Sequence, residues 1–395
     1  MIKSAITYTL SNCQRCLKCL KACPTEAIAI IDNRVSIDAD KCINCGKCVE
    51  ACLTQGLVSK GSTLADISNY DYTVCLVPSA LICEYHTTIQ VSQLFKALKL
   101  LGFDEIRAIS DIEAQVRKET QFIASVENKT IIASFCPVVN KLIATKYPSL
   151  LDNLAKVNYP SEIAAKHIRK NYHGPGKIGI FNCCECVGKL LLAKYPYGNK
   201  QFEVDHALAI ADLFPLIKKQ LNQGKEMVNL CALGLQSINP MTLVRSKEEL
   251  VVDGFDKTVS VLELAEFEVL KDYQLLTIFP CFNGCLGGHL LWGNSFLTQN
   301  NIGELARGCY QQPSNFHFNE VYADLEKSNS DNRSMQEKLK YFSQVNKEYD
   351  KLPHYDCGAC GFASCRIMAE EIAKGNKTLD DCHILASLKE KNHES

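Results

Sequence analysis

Between residues 61 and 312, short apolar runs alternate with amphipathic stretches. The runs VCLV (74–77), IIASF (131–135), KIGIF (177–181), MVNLCAL (227–233) and LLTIF (275–279) are predominantly apolar, as buried strands are. Between them, VSQLFKALKLLG (91–102), SEIAAKHIRKNY (161–172) and HALAIADLFPLIKKQL (206–221) repeat apolar residues at helical spacing. Gly102 ends the first of these, and Ser161 is the expected N-cap of the second. Strand and helix in alternation predict an α/β domain with parallel strand pairs. Three of the runs lead straight into Cys136, Cys183 and Cys281. In open α/β sheets ligands collect beyond the carboxyl ends of the strands, so these distant cysteines are expected to converge.

The pattern changes at both ends of the chain. Residues 1–60 carry eight cysteines in a repeated spacing. Residues 313–350 are polar and charged, the signature of a linker with a solvated helix, and residues 351–395 hold a last cysteine group before an Ala/Glu/Lys-rich helix. The expected domains are therefore 1–60, 61–312, a helical linker 313–350, and 351–395. Formal net charge is −1 with no basic run, which argues against nucleic acid or an anionic membrane as partner. The start lacks a charged segment followed by an apolar run, and no stretch of 18 apolar residues occurs. The 22 cysteines sit largely in tight groups that suit chelation better than cross-linking. The expectation is a reduced, cytoplasmic metalloprotein.

The first group reads Cys13-x2-Cys16-x2-Cys19-x3-Cys23-Pro24, and the second Cys42-x2-Cys45-x2-Cys48-x3-Cys52. Three closely spaced thiolates cap three corners of a [4Fe–4S] cubane, and the fourth must come from elsewhere. The segment resembles the bacterial two-cluster ferredoxins, in which each motif lends its last cysteine to the other cluster. That gives Cys13, Cys16, Cys19 with Cys52, and Cys42, Cys45, Cys48 with Cys23. Gly46 permits close backbone approach to a cluster. A zinc site or a disulfide set is the alternative that the doubled, proline-marked spacing disfavours. Two adjacent cubanes form an electron wire more readily than a purely structural staple.

The central cysteines occur in SFCPVV (Cys136), IFNCCEC (Cys183) and FPCFNGCLGG (Cys281, Cys285). Over residues 1–312 the chain resembles the [FeFe]-hydrogenase family, whose catalytic domain has three cysteine signatures. The resemblance implies a two-lobed α/β domain in which Cys136, Cys183, Cys281 and Cys285 hold a cubane. Cys285 would bridge to a di-iron CO/cyanide unit installed by maturation proteins, with Gly284, Gly287 and Gly288 leaving room for it. It also implies H2 and protons as reactants and a ferredoxin or other redox protein as electron partner. The Pro160-Ser161 helix opening, the third motif and the extra C-terminal cluster are similar to a sensory branch of the family. Members of that branch commonly continue into a signalling domain. This chain ends at Ser395, so a signalling partner is expected.

Several positions depart from the family pattern. Phe135 stands where a proton-relaying cysteine is usual, and Cys186 where a lysine follows the second-signature cysteine by three residues. Phe181 and Phe279 replace the wall methionines, Asn182 and Pro280 are unusual, and the proton-path glutamates are not identifiable around Glu113 and Glu119. Loss of surrounding groups that orient a metal site commonly lowers its activity. Cys184, Cys186 and His289 are candidates for a different surround, though packed thiols and a core-satisfied histidine are the plainer readings. Cys75, Cys83, Cys231 and Cys309 read as packed thiols.

At the C-terminus, Cys357, Cys360, Cys365 and Cys382 form a complete four-thiolate set with Gly358 and Gly361 in the loop. The segment resembles the small helical iron–sulfur domain found beside sensory hydrogenases, with a four-cysteine zinc site as the alternative. The architecture expected is thus a ferredoxin-like (α+β) domain, a hydrogenase-like α/β domain and a small helical four-cysteine domain. It would hold two N-terminal, one central and one C-terminal [4Fe–4S] cluster. Three functions compete: reversible H2 chemistry, hydrogen or redox sensing, and cluster carriage without the di-iron unit.

Overall fold

In a computed structural model, residues 4–193, 203–309 and 333–393 are described. Their strands are β1 (Ile6–Tyr8), β2 (Ile28–Ile31), β3 (Arg34–Ile37), β4 (Leu57–Ser59), β5 (Tyr72–Val77), β6 (Glu105–Ala108), β7 (Ile131–Ile132), β8 (Ile178–Cys184), β9 (His206–Ala209), β10 (Glu249–Asp253) and β11 (Leu275–Phe279). The chain divides into two compact units. One runs from Ser59 through the central region, together with the first residues; the other combines residues 6–58 with the C-terminal segment.

The central unit contains two parallel sheets, in strand order β6-β5-β8-β9 and β10-β11-β7. Side chains alternate across a pleated strand, so each strand of a covered sheet feeds two cores. On β5, Val74 and Leu76 join one core with Ile180, Ile131 and Leu275, which ties the two sheets together. Cys75 and Val77 point the other way, into a core with Phe181, Cys183 and Leu208. Helices Thr88–Leu100 and Ile210–Gln220 contribute Leu94, Leu98, Leu213 and Ile217 to that second core. No helix among the described residues is long and apolar enough to cross a membrane.

The α/β reading holds, with local corrections. His206–Ala209 is not the start of a helix. It pairs in parallel with Phe181–Cys184, and the helix begins at Ile210. A vacant sheet edge outweighs the helical preference of alanine and leucine there. The run 227–233 forms no strand: Met227 is exposed, and Cys231 N-caps a helix, Ala232–Ser237, while its N–H donates to Ser110 Oγ at 3.0 Å. Only Ile131 and Ile132 of IIASF make a ladder. Ser161 is not the N-cap of its helix. Tyr159 holds that position and Pro160 opens the first turn, where a missing N–H costs nothing.

The second unit holds two antiparallel partners, β2 and β3, and the short pair β1–β4. Its C-terminal part has its own small core of Val345, Leu352, Phe362, Met368 and Ala369, joined by Cys365 and Cys382. Residues 313–332 of the expected linker lie outside the described residues. The helix read there, Met335–Tyr349, starts at a Ser334–Glu337 capping box and lays Val345, Tyr341 and Tyr349 on this core.

Glu162, in the first turn of Pro160–Asn171, makes a pH-dependent contribution to stability. It is buried, one carboxylate oxygen accepts from Glu203 N–H at 2.9 Å, and the other has no partner. Burial pushes its carboxyl up to about 7 from an ordinary 4.5. Folding therefore favours the neutral form. Stability from this group is full below about pH 4.5 and is lost as pH rises toward 7, by on the order of 3 kcal/mol at most. Glu162→Gln should flatten that decline, as read from denaturant midpoints between about pH 5 and pH 8.

Candidate functional site

The ferredoxin-like half is built twice over. Arg15 and Leu17 in the first motif and Asn44 and Gly46 in the second all adopt positive φ, wrapping each loop the same way. Of the four, only Gly46 adopts it without steric cost. Cys13, Cys16, Cys19 and Cys52 line one cavity, and Cys23, Cys42, Cys45 and Cys48 another. The last cysteine of each motif thus stands with the opposite trio. Each crossed sulfur accepts a backbone N–H, from Ala27 to Cys23 at 3.2 Å and from Leu57 to Cys52 at 3.4 Å. Such N–H donors favour a charged thiolate. Burial raises Cys19 to about 11 and Cys45 to about 12 in the absence of metal, so cluster binding there must displace protons.

In the C-terminal set, Cys365 opens the helix Cys365–Ala373, whose N-cap Ser364 accepts from Ile367 N–H at 3.3 Å. Cys365 and Cys382 are buried, Cys360 is half-buried and Cys357 is exposed. The charges of Cys357 and Cys382 both act on Cys360, so three of the four thiols share one locality. Cys365 packs in the same small core as Cys382 and Cys360.

In the central unit, Cys136 follows β7 and N-caps the helix Pro137–Lys146, with the N–H groups of Val139 and Val138 directed at its sulfur. Cys281 follows β11 and begins the loop that carries Cys285. Cys285 N–H donates to Ile238 O at 2.9 Å, and Asn239 Nδ2 donates to Asn283 O at 3.0 Å, fixing that loop. Strand β8 does not end before Cys183; it continues through Cys184. Cys183 therefore faces the second core, with its Sγ 3.5 Å from Cys75 Sγ, and Phe181 stacks there on His206 at 4.6 Å between ring centroids. Cys186 is the cysteine beyond the strand's end, at the N-cap of the helix Val187–Leu192.

Cys136, Cys186 and Cys285 are brought together around Lys189. The Cys285 thiol, raised by its own burial, feels the Lys189 ammonium, the Glu185 carboxylate, and the thiols of Cys136 and Cys186. Cys186 is raised to about 12, first by burial and then by Glu185. Burial alone would lower Lys189, but the Glu185 carboxylate on which it closes, followed by Cys285, Cys186 and Glu113, raises it well above its ordinary value. A cation enclosed among thiols offsets the charge they acquire on binding metal. Lys189 was not identified from the sequence, although its signal is legible there: it stands three residues after Cys186, the spacing sought after Cys183.

A cavity beside this cluster is lined by Cys285, Lys189, Phe135, Glu113, Arg117 and Thr277, among others. Phe135 packs on Phe279 at 5.1 Å between centroids. Burial raises Glu113 to about 7, and its carboxylate accepts from the Ser79 hydroxyl and, at 3.3 Å, the Ser79 N–H; Glu119 lies outside the lining. The glycines do not open room for a bulky group. A Cβ at Gly284, Gly287 or Gly288 would come within 2.4, 2.0 and 2.5 Å of Ile238 O, Phe282 O and Glu185 O, so they permit backbones to touch. His289 is held neutral at about 4 by burial, and its Nε2 has no partner.

No three His, Cys, Asp or Glu side chains among the described residues close on a single metal ion. Thiols that serve a cubane need not do so, because each binds a separate iron. The paired four-cysteine cavities, the N–H donors on the crossed sulfurs and the enclosed Lys189 fit iron–sulfur groups.

Comparison with known proteins agrees. Residues 5–53 match the family model of the 4Fe-4S dicluster domain, residues 74–231 that of the iron only hydrogenase large subunit, C-terminal domain, and residues 352–384 that of an Fe-S cluster domain. No curated protein matches the chain. Among solved structures, [FeFe]-hydrogenase HydA(deltaEFG) aligns at 12% identity over 68% of this chain and 98% of its own, with a TM-score of 0.51. A glutamate-to-alanine variant of [FeFe]-hydrogenase HydA1 from Chlamydomonas reinhardtii gives the same four values. An apo HydA1 variant from that organism aligns at 13% identity over 68% and 97%, with a TM-score of 0.50. At such identities the likeness is one of fold. Residues 74–231 of this chain thus match the iron only hydrogenase large subunit, C-terminal domain, between segments that match a 4Fe-4S dicluster domain and an Fe-S cluster domain.

Proposed function

We propose that this protein is an [FeFe]-hydrogenase-like oxidoreductase that interconverts H2 with protons and electrons, slowly, using cubanes as its electron relay. The observation that carries this reading is Lys189, enclosed beside Cys186 and Cys285 with Glu185 as counter-ion. Cys136, Cys186, Cys281 and Cys285 would hold the central cubane and, beside it, the di-iron unit. Two further cubanes belong to the N-terminal cysteines and one to the C-terminal set. When bound, the di-iron unit supplies the chemistry of dihydrogen. The chain's own residues do the rest. Lys189 keeps a positive charge against the thiolates and can donate to an anionic ligand beside them. Phe135, packed on Phe279, gives the cavity an apolar wall. Glu113, raised to about 7, can hold a proton near neutral pH in that same cavity.

Phe135 has no exchangeable proton, so the step between Glu113 and the reacting centre lacks a relay, which limits turnover. That same gap favours the second reading, a hydrogen or redox sensor whose output passes to a signalling partner. In either case a ferredoxin or similar small redox protein would exchange electrons with the cubanes in the reducing cytoplasm, and maturation proteins would install the di-iron unit.

Protein produced anaerobically with the hydrogenase maturation proteins should show infrared bands of metal-bound CO and cyanide. Intact cubanes without those bands would overturn the proposal in favour of a cluster carrier. Cys186→Ala should lose one cubane's worth of iron, whereas Cys183→Ala, which removes a thiol packed on Cys75, should leave the iron content unchanged. Iron analysis separates the two, and loss from Cys183→Ala alone would restore that residue as ligand. Phe135→Cys should raise H2 evolution about tenfold or more, measured by gas chromatography, if the missing relay limits the rate.

A further inference from the structure

The cavity of the first N-terminal set is not closed by ferredoxin residues alone. Beside Cys13, Cys16, Cys19 and Cys52, its wall includes Gly358, Ala359 and Gly361. Gly358 and Ala359 are the two residues between Cys357 and Cys360, so the loop spanning two thiols of the C-terminal set is also a wall of the first set's site. Among the described residues, the cavity of the second set, around Cys23, Cys42, Cys45 and Cys48, is lined only from residues 6–48.

The contact is specific. Ile30 N–H donates to Gly361 O at 2.8 Å, adding the loop to the free edge of β2. Gly361 has φ +89, and a Cβ there would stand 2.3 Å from Ile30 O. Lys21, two residues after Cys19, sends its ammonium to Asp356 O and, at 2.9 Å, to Ala363 O. Ser364 Oγ donates to Glu26 Oε1 at 3.2 Å. Residues on both sides of Cys357 and Cys360 are thus tied to the chain around Cys19 and Cys23.

We propose that the Cys357–Cys360 loop makes the C-terminal set the direct redox neighbour of the Cys13/Cys16/Cys19/Cys52 site, giving a linear order of C-terminal set, first set, second set. This rests on the reading that these cysteines hold [4Fe–4S] clusters. One electron moves from the reduced C-terminal cluster to the oxidised first cluster; no bond breaks and no proton is needed. The electron comes from a one-electron carrier of the ferredoxin class, and Cys357, exposed at the end of the order, is where such a carrier would meet it. Lys21 is the positioning residue that holds the loop against the first site.

The full-length, cluster-loaded protein would be reduced stepwise with dithionite and followed by electron paramagnetic resonance. Spin–spin splitting between two reduced clusters is expected. The component that couples the C-terminal and first clusters should vanish in the Cys357→Ala/Cys360→Ala double variant, while the coupling between the first and second clusters and their iron remain. Lys21→Met removes no ligand; it should keep the iron content, weaken the splitting and shift the midpoint potential of the first cluster. Splitting unchanged in both variants would overturn the proposal. So would isolated, unsplit signals in a wild-type protein that holds all its cubanes. Iron short by one cubane in the wild type, with the C-terminal signal missing, would instead overturn the site reading beneath it.

Discussion

Parallel strand pairing is the constraint on which the central site depends. Because β5, β8 and β9 run the same way, and β7, β10 and β11 do likewise, each delivers its following residue at a carboxyl edge. Cys136 and Cys186 each occupy a helix N-cap a few residues beyond such an edge, and Cys281 opens a loop there. Sequence distance is irrelevant to this convergence. What matters is where each strand stops, and a strand's end is decided by its ladder partners. Strand β8 runs to Cys184 because β9 offers partners from His206 to Ala209.

That dependence explains what was legible in the chain and what was not. The cysteine groups at the two ends were legible because three cysteines of each set lie within a few residues of one another, even though the fourth comes from farther along the chain. The α/β class was legible because apolar runs and amphipathic runs differ in period. The end of β8 was not, because β9 was hidden in a segment, HALA, whose composition is helical. The longer strand leaves Cys183 within the sheet and brings Cys186 to its end. The same extension places Phe181 in the core and Lys189 three residues after the cysteine beyond the strand. The glycines after Cys281 were misread for a related reason. Spacing shows that side chains are absent there, but only the fold shows that neighbouring backbones fill the space.

Charge is the second determinant. Thiolates gathered in a partly closed site repel one another, and burial raises every one of those thiols as it stands. A metal group overcomes this by supplying positive charge at the moment of binding. Lys189 supplies a fixed part of it beforehand, and Glu185 keeps that lysine charged inside the protein. The unpartnered second oxygen of Glu185 and the bare Nε2 of His289 show that polar capacity in this region exceeds what the chain itself satisfies. Unsatisfied buried groups cost on the order of 1–3 kcal/mol each and persist in proteins where function requires them.

The second unit answers a different physical problem. A four-cysteine segment with a core of eight buried residues is too small to be stable alone without a metal or a neighbour. Packing its loop on β2 gives it a neighbour, and the required close approach accounts for Gly358 and Gly361 at positive φ. The same approach makes the loop a wall of the first four-cysteine cavity, so the packing that completes the fold also limits the solvent exposure of that cavity. Exposure and N–H donation tune a cluster's potential. Lys21 and Ile30, which carry no sulfur, thus fix the position of the backbone that walls the first four-cysteine cavity.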